Sequence, residues 1–152
     1  PRHILINIEL KNSAPLGDDL AEKVSDLIVR QAMQERVMFS SFDPRLLRQA
    51  AQRLPTVPIA LLAAPGLLGA IPRSPVGKWL VEYCALHAES SDIHPHLVER
   101  LHRGNHRLHV YTVNHPFEMR RLFQLGVDGI FSDDPALARQ VLEDFLLVEG
   151  RT

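Results

Sequence analysis

The sequence predicts an α/β fold whose strands run parallel. Six short apolar runs alternate with amphipathic stretches over 152 residues, the pattern of repeated βαβ units. The runs begin about 20 to 33 residues apart, enough for a helical crossover between neighbouring parallel strands. The first run, ILINIEL, is nearly continuous in apolar residues, as expected of a parallel strand covered on both faces.

The elements follow in order. The first strand is expected over residues 4–10, ahead of a helix over 18–30 that starts at Gly17-Asp18 and places Leu20, Val24, Leu27 and Ile28 at helical spacing. A strand over 37–41 leads to a helix over 43–53, with Asp43 as N-cap and Pro44 at the first helical position. A strand over 58–63 opens a Pro- and Gly-rich loop, 64–76, suited to a mobile lid, and then a short helix over 75–81. The fourth strand, 83–87, precedes a helix over 95–103 that ends before Asn105, a residue tolerant of left-handed backbone. The fifth strand, 108–113, precedes a helix over 116–124 closed by Gly126, and the sixth, 129–132, a helix from Asp134-Pro135 to about residue 147. Two architectures fit this order: an open doubly wound sheet, or part of a (β/α)8 barrel, which needs eight units where six are counted. No Gly-rich phosphate loop follows the first strand, which disfavours a nucleotide-binding fold.

Composition narrows the partners. The chain is 45% hydrophobic with a net charge of −1, enough for one domain with a core and without the basic footprint of a nucleic-acid binder. The basic cluster Arg100, His102, Arg103, His106 and Arg107 reads as a solvated helix end. The apolar stretch near 58–70 is too short and proline-rich for stable membrane insertion. The single Cys84 excludes an internal disulfide and is expected as a small buried strand residue.

Chemistry gathers at strand ends. Glu9 and Lys11 lie two apart, so they project from one face, shared by Asn7. A carboxylate there can ligate a hard cation such as Mg²⁺ or Ca²⁺, and a lysine beside it can hold a phosphate oxygen. An exposed salt bridge explains the pair equally well. Ser40, Ser41, Phe42 and Asp43, then Tyr111, Thr112 and Asn114, then Ser132, Asp133 and Asp134 close three further units. Helix capping accounts for Asp43 and Asp134, and Tyr111 suits a core as well as a pocket. Among eight histidines no pair has a convincing metal-ligand spacing. His87, at the end of the fourth strand, is a candidate to face a pocket, though that is not the favoured reading.

Four segments together resemble the glycerophosphodiester phosphodiesterase family: NIELK at 7–11, SSFDPRLL at 40–47, HLVERLHRGN at 96–105, and LHVYTVNHPFEMRRLFQLGVDGIFSDDP at 108–135. They occur in the family's order across essentially the whole chain. The resemblance implies a (β/α)8 TIM-type barrel, incomplete here at about six units, with 1–152 as one domain matching units three to eight. It implies hydrolysis of small glycerophosphodiesters to glycerol 3-phosphate and an alcohol, with a divalent cation. By the same resemblance Glu9 is the metal ligand, Lys11 the catalytic lysine that contacts phosphate, and Phe42 and Tyr111 line the substrate pocket, Tyr111 standing where the family usually has Trp.

The family's HRG-type segment, its ExD ligand pair and its two proton-transferring histidines have no counterpart here, and His87-Ala88-Glu89 stands where a Pro-His pair is frequent. The 152 residues are therefore expected to be inactive alone, or to serve as a non-catalytic interaction module, and to self-associate through open sheet edges.

Overall fold

The structure, a computed structural model, describes residues 4–11 and 19–149. Six strands, β1 (Ile6–Glu9), β2 (Val37–Ser41), β3 (Ile59–Ala63), β4 (Ala85–Glu89), β5 (Arg107–Tyr111) and β6 (Gly129–Ile130), form one sheet. Their spatial order is their chain order, every pairing is parallel, and the sheet curls into a half-barrel. A doubly wound sheet reverses its strand order at a switch point; this one does not, which decides between the two architectures.

The helices α1 (Leu20–Arg30), α2 (Pro44–Arg53), α3 (Ala70–Arg73), α4 (Pro95–Arg103), α5 (Pro116–Leu125) and α6 (Pro135–Glu149) connect the strands. Asp43 and Asp134 cap their helices as expected, and His94 and His115, not expected in that role, do the same. Asp43 accepts the Arg45 N–H at 2.9 Å, His94 Nδ1 that of Leu97 and His115 Nδ1 that of Phe117, both at 3.3 Å, and Asp134 that of Leu137 at 2.9 Å. Each cap precedes a proline, whose missing N–H costs nothing in a first turn. Gly126 ends α5 at φ 80°, and Asn105 follows α4 at φ 57°. The Gly17-Asp18 start lies outside the described residues.

Alternation sorts the sheet's faces. Phe39, Leu61, Leu86 and Leu108 face the helices, where they pack with Leu47, Leu97 and Leu122 in the main core. Met38, Ala60 and Ala85 form a small cluster on the other face. β2 and β3 are buried throughout, as parallel strands should be. β1 is not: its residues are exposed apart from the half-buried Ile8, with Ile6 at 40%, because β1 pairs with β2 alone among the described residues.

Three further expectations are corrected. The fourth strand lies two residues further on, at Ala85–Glu89, which puts His87 in mid-strand. Cys84 therefore precedes the strand and is exposed, its thiol donating to the Ile59 carbonyl at 3.2 Å. In place of a loose loop and a helix over 75–81, a 3-10 turn (Gly66–Gly69), α3 and a second 3-10 turn (Gly77–Trp79) follow β3. Arg73 staples this segment down: it donates to Ala64 O and Gly66 O and pairs with Asp92 at 2.8 Å, while Arg100 donates to Arg73 O.

Candidate active site

Glu9 ends β1, and Lys11 stands two residues beyond it. The backbone between them is pinned from β2: the Leu10 N–H donates to Ser40 O, and Ser41 Oγ donates to Leu10 O, both at 2.7 Å. Leu10 is buried, so the residues flanking it point to the other face. Lys11 Nζ lies 3.4 Å from Glu9 Oε1, with both side chains reaching solvent. A pair this open contributes little to stability and leaves both charges able to meet a ligand.

Phe42 follows β2 and Tyr111 ends β5. Their rings meet edge to face, centroids 6.4 Å apart. Tyr111 donates its hydroxyl to Ala63 O at 2.6 Å, which fixes the ring across the strand between. Burial, then the nearby Glu89 carboxylate, raises the Tyr111 phenol above its ordinary value, so it remains a donor. Glu9, Lys11, Phe42 and Tyr111 thus line one cavity of about 330 Å³. It sits at the carboxyl ends of the strands, where barrels of this kind carry their chemistry.

The cavity also takes in Asn7, Ser40, Leu62, His87 and Phe131. Leu62 and Phe131 carry no sequence signal as site residues; the register between strands, Leu62 opposite His87 and Phe131 bonded to Val110 and Val113, brings them there. His87 lies on the inner face of β4 with Nε2 3.0 Å from His109 Nδ1. Burial, and to a lesser degree His109, lowers its pKa to about 3. His109 is lowered as well, mainly by burial.

Other polar strand-end groups are engaged elsewhere. Asp43 and Asp134 cap helices, as expected. Asp133 accepts from Asn114 Nδ2 at 2.7 Å, and Glu89 accepts from Ser90 and from the Ser91 N–H. Among the described residues no three His, Cys, Asp or Glu side chains gather as a metal site. Glu9 and Asn7 are hard oxygen donors of the kind Mg²⁺ and Ca²⁺ take; they fit part of a coordination shell and fall short of a cage.

A larger cavity, about 660 Å³, lies at the opposite ends of the strands, among Cys84, His102, His106, Arg107 and Asp128. Its groups satisfy one another: Asp128 pairs with His102 at 2.9 Å and accepts the Leu108 N–H at 2.8 Å, and His106 Nδ1 donates to Tyr83 O. No helix among the described residues is long and apolar enough to cross a membrane.

Residues 3–137 match the glycerophosphoryl diester phosphodiesterase family. The chain is 33% identical to a glycerophosphodiester phosphodiesterase of Caldanaerobacter subterraneus over 138 residues, 88% of this chain and 54% of that protein. It therefore spans about half the length of that curated relative. Its fold superposes on the crystal structure of a candidate glycerophosphoryl diester phosphodiesterase from Silicibacter pomeroyi with a TM-score of 0.82 at 27% identity, over 92% of this chain and 50% of the other. An Oleispira antarctica phosphodiesterase, solved with its product sn-glycerol 3-phosphate, shares the fold with a TM-score of 0.72 at 22% identity, over 91% of this chain and 55% of that one.

Proposed function

The chain belongs to the glycerophosphoryl diester phosphodiesterase family, and on that premise we propose that it forms the phosphate-facing wall of a site that hydrolyses glycerophosphodiesters to sn-glycerol 3-phosphate and an alcohol. The observation that carries this is the placing of Glu9 and Lys11 at one strand end, open to the cavity that Phe42 and Tyr111 enclose. The Lys11 ammonium holds a phosphate oxygen and offsets the charge that grows on it during displacement. Glu9 supplies one carboxylate to a divalent cation, Mg²⁺ or Ca²⁺, which when bound polarises the phosphoryl oxygen. Phe42 and Tyr111 close the sides and keep the ligand's carbon skeleton out of water.

Proton transfer to the leaving alcohol needs a group that can ionise near neutral pH. His87 does not suit that task, since burial holds its ring neutral. On this reading the acid and base, and the remaining cation ligands, come from outside the described residues, and residues 1–152 by themselves do not turn substrate over.

The test is release of sn-glycerol 3-phosphate from glycerophosphocholine by the full-length protein with Mg²⁺ or Ca²⁺. Glu9→Ala and Lys11→Ala should each lower turnover by about 10²-fold or more, the scale of losing one charge-stabilising group, with the fold retained by circular dichroism. No release with either cation would overturn the proposal. A second reading, a non-catalytic module on the same fold, draws on the lack of a three-ligand cluster among the described residues; product binding without turnover would favour it.

A further inference from the structure

Large apolar side chains stand exposed along the segment that follows β3: Leu67, Leu68 and Trp79 at 93%, 87% and 79%, with Ile71 and Val76 beside them. The segment is not loose. Asp92 pairs with Arg73 and accepts the Gly66 N–H at 3.0 Å, and both 3-10 turns pack against α3. A Cβ at Gly69 would run into the Ala64 carbonyl, and one at Gly77 into the Pro72 carbonyl, so both turns close tightly and leave their apolar side chains outside. A fixed apolar patch in water marks a surface that meets something. It is not a sheet edge awaiting a strand, since β3 is paired on both sides. The charges indicate what it meets. From Gly66 to Val81 the sequence holds no carboxylate, and its cations are Arg73 and Lys78. Arg73 is engaged by Asp92. Lys78 is exposed next to Trp79, with no ion pair among the described residues.

We propose that residues 66–79 dock the protein on the surface of an anionic lipid membrane. Leu67, Leu68 and Ile71 enter the apolar boundary of the leaflet, and the Trp79 ring lies at the headgroup level, where tryptophan is favoured. Lys78 meets the lipid phosphates, whose charge complements its own. The segment offers a protein partner little to read. Its one hydroxyl, on Ser74, is turned back on the Ile71 carbonyl at 2.7 Å, which leaves Lys78 as the polar side chain facing outward. Lipid chains require no such matched groups. Adsorption this way also sets an orientation. Ala63 ends β3, and its carbonyl accepts from Tyr111 in the wall of the Glu9–Lys11 cavity. An adsorbed molecule therefore turns the cavity's end of the sheet toward the membrane. Docking of this kind needs no spanning helix and does not depend on the reaction proposed above.

The test is sedimentation of the full-length protein with vesicles of phosphatidylcholine, with and without added phosphatidylglycerol. Wild type should bind the anionic vesicles more tightly and be partly released by salt. Leu67→Ser combined with Leu68→Ser should weaken that binding about tenfold or more, since both side chains leave the apolar boundary. The circular dichroism spectrum should not change, because both positions are exposed. Lys78→Ala should weaken binding to anionic vesicles about fivefold and leave binding to neutral vesicles as it was. No vesicle binding by wild type overturns the docking surface, as does binding that the paired leucine substitution leaves unchanged. A wild-type oligomer that the same pair returns to monomer, with no vesicle binding, would assign the patch to a second copy and overturn it too.

Discussion

His87 ties the interior of the half-barrel to solution pH. The folded protein holds its ring neutral down to about pH 3, while the unfolded chain takes up a proton near the ordinary value of 6.5. Between those limits the unfolded state binds the extra proton, so stability falls as pH falls, by about 1 kcal/mol per pH unit. His109 is lowered too and acts in the same direction. The carboxylates with lowered values, such as Asp43 and Glu118, contribute only from their ordinary values of 3.8 and 4.5 downward. The loss between pH 6.5 and pH 4.5 therefore belongs to the histidines. Urea midpoints measured across that window should decline steadily in wild type and more shallowly in His87→Leu; equal slopes would remove His87 from the account. At this scale charge and strand parity put Glu9 and Lys11 on one face, and the family resemblance added Phe42 and Tyr111; all four line one cavity. The sequence was silent on the His87–His109 contact, which depends on the register between β4 and β5.

The elements are set by local signals that the structure repeats four times, a capping side chain followed by proline at the starts of α2, α4, α5 and α6. Asp43 is the most heavily used of these caps, holding the Arg45 N–H at 2.9 Å and the Arg45 guanidinium at 2.8 Å. Asp43→Ala should cost about 1 kcal/mol, read as a lower urea midpoint at unchanged slope, and Asp43→Asn should cost less because it keeps an acceptor. An unaffected Asp43→Ala midpoint would show that Pro44 alone starts the helix. Strand ends were harder to read. At β4 the assigned strand starts at Ala85, opposite Ala60, although Cys84 extends the ladder through Cys84 N–H to Ile59 O and Arg107 N–H to Cys84 O. At β6 the assigned strand is two residues long, although Val113 and Phe131 extend the ladder through Val113 N–H to Phe131 O and Phe131 N–H to Val110 O. Pairing partners fix such ends, and partners are remote in sequence.

At the scale of the whole molecule, the half-barrel ends in β1 and β6, each with one strand neighbour among the described residues. Ile6 on β1 is exposed, and so are Leu146, Leu147 and Val148 on α6 beside the other end. Unpaired edges bearing apolar side chains recruit further chains. Residues 1–152 on their own should therefore gain mass with concentration in light scattering, and Ile6→Lys should reduce the gain by placing a charge on the edge. A constant monomer mass would count against association through these edges.

The sequence by itself determined the parallel α/β class, the six units, the starts of α2, α4, α5 and α6, and the family, because each is written in local patterns: apolar periodicity, prolines at first helical turns and contiguous motifs. It left the architecture open until the motifs were joined, since periodicity does not state strand order. Only the tertiary structure decided that the six strands follow one another around a curl, that the segment after β3 is stapled by Arg73, and that Ser40 and His87 line the same cavity, each with a buried polar atom that has no partner among the described residues. Each of these depends on register and packing between residues far apart in the chain.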